Sequence, residues 1–345
     1  MPFAARTRTS TVLATLVVLL GTLLAVGAVA GTPAATAAGT VAPASATGVA
    51  GPSAPAYARK AKDPRRTRGL FVDSYMPANN AGAEFRPIAR NAQALWITDY
   101  YYAPSTARKA VAEYSRRATR AGKTPVMAIY AIPGRDCGLY SAGGLPSGKA
   151  YQRWITAVAA GMKGRKAMVV LEPDAVPFMG DPRCVESGPR QKLLRFAAKK
   201  LKQAGAWVYI DGGHSGWRSV NQMAQLLGRS GMKYARGFST NVGNFRKTGA
   251  EKRYAKALVK ALARRGFKNR KFVIETARNG GRTPVNGDVC NPTWARVGAA
   301  PKLRFKGSFD GTLWIKHPGE SDGTCNGGPS SGEWWPDGAR RLMGR

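Results

Sequence analysis

Residues 167–174 read Ala-Met-Val-Val-Leu-Glu-Pro-Asp: five apolar residues in succession, then Glu172, Pro173 and Asp174. A short continuous apolar run ended by a breaker fits a strand covered on both faces, as in parallel sheets. The two carboxylates then stand just past its carboxyl end. Comparable runs recur at Gly69–Asp73, Ala94–Thr98, Thr124–Ile132, Ala206–Ile210, Tyr234–Ser239, Lys271–Ile274 and Thr312–Ile315. Between them, helical spacing predicts helices near 105–121, 149–162, 188–204, 218–229 and 249–266. Such alternation argues for βαβ units on a parallel sheet. Seven or eight repeats over about 250 residues favour an α/β fold closed, or nearly closed, into a barrel. An open doubly wound sheet is the alternative, although no Gly-x-Gly-x-x-Gly follows a first strand to suggest dinucleotide binding.

The chain has only 19 acidic residues, and many fall at strand ends: Asp99, Asp136, Glu172, Asp174, Asp211, Glu275, Glu320 and Asp322. In a parallel barrel these ends converge on one face, where active sites are built. Convergent carboxylates without His or Cys ligands suit either a hard cation or acid/base chemistry on a sugar. The neighbouring rings of Trp96, Tyr130, Tyr140, His214, Trp217 and Trp314 favour the sugar, because flat rings match the C–H faces of pyranoses. The four cysteines, Cys137, Cys184, Cys290 and Cys325, allow three pairings and fit no zinc spacing, and the chain has only two histidines. No metal and no cofactor is implied.

The termini and charge bear on location. Arg6 and Arg8, the apolar stretch from Val12 to Ala30 and Ala35-Thr-Ala37 read as an export signal over residues 1–38, with a membrane anchor as the alternative. Residues 39–68 are rich first in Ala, Pro, Ser and Thr and then in Arg and Lys, the composition of a linker. Residues 69–345 form the expected catalytic domain. The formal charge is +35, of which the signal contributes +2 and the linker +5, leaving +28 on the domain. Charge of this size predicts attraction to anionic cell-envelope polymers. No nucleic-acid motif accompanies it. The protein is therefore expected outside the cell or at its envelope, with no transmembrane segment after signal cleavage, as a monomer.

Six segments, in order, resemble the signatures of glycoside hydrolase family 6 cellulases. They are Tyr130-Ala-Ile-Pro-Gly-Arg135-Asp136-Cys137-Gly, Val169-Val-Leu-Glu172-Pro173-Asp174, Asp211-Gly-Gly-His214-Ser-Gly-Trp217, Ser239-Thr-Asn241, Glu275-Thr-Ala-Arg278-Asn279-Gly and Lys316-His-Pro-Gly-Glu320-Ser-Asp322-Gly. The resemblance implies a distorted parallel (β/α) barrel of about seven strands and inverting hydrolysis of β-1,4-glucosidic bonds. It implies Asp174 as general acid, Asp136 as the neighbour that keeps the acid protonated, and Asp322 as candidate base. It implies Lys316 and Glu320 on sugar hydroxyls and Tyr130 against the reacting ring. Trp96, His214, Trp217 and Asn241 would line the cleft, with Asp211 and Arg278 in support. It further implies disulfides Cys137–Cys184 and Cys290–Cys325. Val289 stands where many members carry a sugar-stacking Trp, and Ser141 where a serine often holds the water. Short loops after Cys137 and Arg278 favour an open cleft and internal cutting. A glycan-binding protein on an idle hydrolase fold, held at an anionic envelope, is the alternative function.

Overall fold

The computed structural model describes residues 63–182, 184, 189–282 and 287–345. The expected signal and most of the linker lie outside them. Among the described residues no helix is long and apolar enough to cross a membrane. The chain is already packed at Asp63, six residues ahead of the expected boundary. The Thr67 hydroxyl meets that of Thr124 at 2.7 Å, Arg68 N–H bonds to the Gly122 carbonyl, and the Arg65 guanidinium lies over Trp207.

Seven parallel strands carry the fold: β1 (Leu95–Thr98), β2 (Val126–Tyr130), β3 (Met168–Leu171), β4 (Trp207–Asp211), β5 (Gly237–Thr240), β6 (Lys271–Glu275) and β8 (Phe309–Leu313). An eighth, β7 (Lys302–Lys306), runs antiparallel on β8, so the sheet order is β1-β2-β3-β4-β5-β6-β8-β7. Among the seven parallel strands the order never reverses, which excludes the doubly wound alternative. A seam joins the two ends of the parallel set. Gln93 bridges Trp314, Ala94 N–H bonds to the Trp314 carbonyl, and Trp96 Nε1 donates to the Ile315 carbonyl at 2.7 Å. The barrel is thus closed by one bridge and side chains rather than by a full ladder.

The expected strand at Gly69–Asp73 is not one. Leu70 makes a single bridge to Thr124, and the next residue, Pro125, has no N–H with which to continue a ladder. Eight strands are still present because β7, not read in the sequence, takes its place in the count.

Long helices wrap the outside: α3 (Pro104–Arg120), α4 (Gly148–Gly161), α5 (Arg190–Gln203), α6 (Val220–Arg229) and α7 (Thr248–Arg264). They follow the short α1 (Pro77–Asn80) and α2 (Arg86–Ala89), and α8 (Pro336–Met343) ends the chain. Local chemistry sets their starts. Pro104 opens α3, the Ser147 hydroxyl accepts from Ala150 N–H ahead of α4, and Ser219 with Gln222 forms a capping box at α6. In α3, Ala107, Val111, Tyr114, Ser115 and Ala118 face the sheet at helical spacing.

Strand alternation divides the core in two. Met127 and Ile129 of β2 and Val169 and Leu171 of β3 pack outward under the helices. Val126, Ala128, Met168 and Val170 point into the barrel with Tyr209, Val273 and Leu313. The Tyr209 hydroxyl bonds to Asp310, which also pairs with Arg236, and this closes the floor. The floor is filled, so only the carboxyl ends of the strands are left to build a site.

Candidate active site

Three buried carboxylates bind backbone and hold strand-end loops at this mouth. Glu172 accepts from Ala131 and Ile132 N–H, each at 3.1 Å, and from the Tyr151 hydroxyl at 2.8 Å, which fixes the loop after β2. Asp211 accepts from Asp174 N–H at 2.9 Å, Gly213 N–H at 3.2 Å and the Ser239 hydroxyl at 3.0 Å. Glu275 accepts from Gly243 N–H at 2.5 Å and Lys316 N–H at 2.6 Å, which ties the ends of β5 and β8 to β6. Burial raises the pKa of all three to about 7, partly offset by these donors. Glu172 and Glu275 are scaffold, and Asp211 reaches the site through Asp174.

Asp174 itself is only partly covered, on a left-handed backbone (φ +66°), as is Asp136 (φ +56°). Left-handed non-glycine residues are uncommon and persist where surrounding bonds over-determine them. The Asp174 pKa is raised well above the ordinary range, by burial first and then by the charges of Asp211, Asp136 and Glu275. Asp136 is raised by burial, against the Ser141 N–H at 2.7 Å and Arg135. Asp99 shapes this loop from β1: it pairs with Arg135 at 2.5 Å and accepts from Gly144 N–H at 2.8 Å. Gly144 (φ +99°) has to be glycine, because a Cβ there would sit 2.1 Å from the Ile132 carbonyl.

Asp322 lies in the opposite electrostatic state. Arg278 donates to it at 2.6 Å, Asn291 N–H at 3.0 Å, and Lys316 Nζ stands at 3.5 Å. These partners hold its pKa below the ordinary value despite burial. The Asp322 and Asp136 loops meet: the Ser141 and Ser331 hydroxyls lie 3.3 Å apart, and the Tyr140 ring approaches Gly323. The mouth therefore gathers Asp136, Asp174 and Asp322. Both disulfides brace it, Cys137–Cys184 beside Asp136 and Cys290–Cys325 across the Asp322 loop, in the pairing the resemblance implies.

Among the ring residues, Trp96, His214 and Trp217 are partly exposed. His214 lies 5.4 Å from the Trp217 ring, and burial together with Arg246 lowers its pKa to about 4, leaving it neutral. Tyr130 differs from expectation. It is 6 % exposed, its ring is edge-on to Trp96 at 5.3 Å and has the Arg135 guanidinium over it at 4.7 Å, so it has no free face for a sugar. Asn241 does not line the cleft. It is fully buried, donates to the Glu275 carbonyl at 3.0 Å and accepts from Arg246 N–H at 2.9 Å, clamping the loop after β5. Arg278 is 4 % exposed and is spent on Asp322 and the Gly243 carbonyl. Ser141 reaches Asp136 through its backbone. Val289 is exposed, and Trp294 is bonded to Asp288 and packed on Phe245.

Glu320 and Lys316 remain at the rim. Lys316 Nζ donates to the Ser321 carbonyl at 3.1 Å, and Glu320 Oε1 lies 2.5 Å from His317 Nδ1. His317, together with Asn291 and Arg135, is a site-shaping residue that sequence reading did not single out. Asn291 could have been suspected from its place beside Cys290.

A parallel barrel whose mouth sets an acid with a raised pKa against an ion-paired carboxylate has the layout of a glycosidase site. Comparison with known proteins agrees: the family description "Glycosyl hydrolases family 6" matches residues 59–345. The chain belongs to that family. It is 42 % identical over 283 residues to Endoglucanase A of Cellulomonas fimi, covering 79 % of this chain and 60 % of that protein. It is 34 % identical over 286 residues to Endoglucanase 1 of Streptomyces halstedii, covering 81 % and 87 %. The chain thus spans less than two thirds of the Cellulomonas protein. The endoglucanase Cel6 of Mycobacterium tuberculosis, solved with methyl-cellobiosyl-4-deoxy-4-thio-β-D-cellobioside, superposes with a TM-score of 0.74 at 36 % identity, over 82 % of this chain and 99 % of that one.

Proposed function

We propose that the chain is an exported, inverting endo-hydrolase of β-1,4-glucan, with Asp174 as proton donor to the leaving sugar. The observation that carries this is the split between two carboxylates at one mouth. Asp174 is crowded by Asp211, Asp136 and Glu275, while Asp322 is held ionised by Arg278 and Lys316. An acid must keep its proton near neutral pH and a base must have lost it, and these surroundings push the two groups apart in that sense. Inversion places water between the base and the anomeric carbon. Asp136, tied to Ser141, is suited to hold that water and to oppose ionisation of Asp174. Trp96, His214 and Trp217 offer faces to sugar rings, Lys316 and Glu320 bind hydroxyls, and Asp211, Asn241 and Arg278 act by holding the groups that do.

Among the described residues, the Asp136 and Asp322 loops approach through the Ser141 and Ser331 hydroxyls at 3.3 Å, a light contact that suits lateral entry of a chain and internal cutting. The outer helices suit attachment to a polyanionic envelope. Lys192, Arg195, Lys199 and Lys202 on α5 and Lys252, Arg253, Lys256, Lys260 and Arg264 on α7 are exposed, with no exposed acid beside them on either helix. Retention on such polymers should weaken as salt rises.

The deciding experiment is Asp174→Ala with cello-oligosaccharides. Hydrolysis should vanish while binding survives. In the unmodified enzyme, proton NMR should show the α-anomer forming first from the β-linked substrate. Wild-type turnover in the variant, or β-product first, would end the assignment. A steep early fall in the viscosity of a soluble cellulose derivative tests internal cutting.

A further inference from the structure

His317 stands where the barrel seam meets the rim of the cleft, and both its ring nitrogens face acceptors. Nδ1 lies 2.5 Å from Glu320 Oε1 and Nε2 2.6 Å from the carbonyl of Ala94, just ahead of β1. A carbonyl oxygen cannot donate, and an ionised carboxylate cannot either. A neutral imidazole has one N–H and would leave one contact as two acceptors in opposition. With Glu320 ionised, as the Lys316 and Arg278 charges beside it favour, both bonds are satisfied together only by the imidazolium; a protonated Glu320 on a neutral imidazole is the alternative pairing. The side chain is 9 % exposed and Glu320 13 %, so water is a poor substitute for either partner.

We propose that His317 is a positioning residue: as an imidazolium it links the seam to Glu320 and fixes that carboxylate with one oxygen bound and the other presented to a sugar hydroxyl. Glu320 Oε2 has no partner among the described residues. Three further observations agree. The residue before His317 is Lys316, whose backbone is anchored by Glu275, so the imidazole is carried on a fixed stem. The charged groups around the pair are Lys316, which opposes protonation of His317, and Arg278, which with Lys316 and His317 keeps Glu320 ionised. Ala94, just ahead of β1, contributes a carbonyl and no titratable side chain. The shifts follow the geometry, with His317 raised above its ordinary value and Glu320 lowered. The sign is therefore fixed: the link is whole below the raised pKa and is lost as pH climbs through it.

This inference takes the substrate from the glucanase reading, but its first test needs no substrate. The chain has two histidines, His214 and His317, and their environments push them in opposite directions, so two imidazole signals can be assigned in the intact protein by a single His317→Gln variant. Nitrogen-15 NMR should find His317 protonated at both nitrogens at pH 7, and Glu320→Gln should move its titration to lower pH. The second test measures cellotetraose binding to the Asp174→Ala protein from pH 5 to 9. Affinity should fall as His317 loses its proton, and adding His317→Gln should weaken binding about tenfold at pH 6, the size of one charge-assisted bond, and leave it flat with pH. A singly protonated His317 at neutral pH overturns the proposal, as does an unchanged alkaline fall in binding after His317→Gln. If His317 behaves as expected in NMR while no hydrolysis of β-glucan is found, the glucanase reading fails and the imidazolium link stands.

Discussion

Replacing Arg278 by Met tests the proposal that Asp322 is the base and that Arg278 tunes it. Arg278 Nη1 donates to Asp322 at 2.6 Å and Nη2 to the Gly243 carbonyl at 2.7 Å, and the two side chains are 4 % and 15 % exposed. Unit charges about 4 Å apart attract by roughly 4 kcal/mol at an effective dielectric near 20, which corresponds to roughly 3 pKa units. Lys316 at 3.5 Å and Asn291 N–H at 3.0 Å remain in the variant and recover part of this, so a rise of about 2 units is expected for Asp322. The base has to be ionised, so the acid limb of kcat/KM should move up by about 2 pH units. Stability should fall as this pKa rises. A carboxylate with a depressed folded pKa contributes stability that is present above its unfolded pKa and lost as pH falls through the folded one. The variant forfeits that contribution and leaves a buried carboxylate short of its main partner, a loss of roughly 3–5 kcal/mol at pH 7. Rate profiles on a neutral soluble β-glucan from pH 3 to 8, with urea unfolding at pH 7, measure both. Arg278→Lys, which keeps the charge, should recover part of each. An acid limb at its original pH in a folded Arg278→Met protein would refute the reasoning.

Other outcomes follow from the same geometry. Glu172, Asp211 and Glu275 titrate at about 7 when folded, above the ordinary carboxylate range, so the native state holds more protons than the unfolded chain between about pH 4.5 and 7. Stability should therefore fall as pH rises through that window, by up to about 1.4 kcal/mol per pH unit per group. A Tm that climbs from pH 5 to 7.5 would contradict this. Opening the Cys290–Cys325 bridge by double replacement with Ser frees a loop of 35 residues and should cost about 3–4 kcal/mol in urea unfolding, with activity falling as the Asp322 loop loosens. A loss below about 1 kcal/mol would show that the loop is held by Asn291 instead, through its bonds to Ser321 and Gly323.

Much of this architecture was legible in the chain because parallel strands and their carboxyl ends leave a simple record. Ala-Met-Val-Val-Leu at 167–171 is continuous since β3 is covered on both faces, and Asp174 follows it directly. The five long helices fall within two residues of their expected ends. The misses are physical. Lys302-Leu-Arg-Phe-Lys306 alternates with its charges outward, so it lacks the continuous apolar run of its neighbours. Gly69–Asp73 has such a run but meets Pro125 across the gap. Asp136, Asp174 and Asp322 could be placed at the mouth from position alone. That Asn241 is a clamp could not, because the role depends on its left-handed backbone and on backbone groups of Arg246 and Glu275. His317 was hidden for a similar reason: one of its partners lies 223 residues away.

The antiparallel strand at the end of the sheet has a bearing on how the protein survives crowding. An outermost strand exposes unpaired backbone that a second molecule could extend. β7 presents Lys302, Arg304 and Lys306 on its exposed positions, and its pairing slips between Leu303 and Lys306, where Phe305 turns left-handed. Two copies brought edge to edge would oppose like charges across a warped border. The border of the sheet is thus guarded against extension by a second copy.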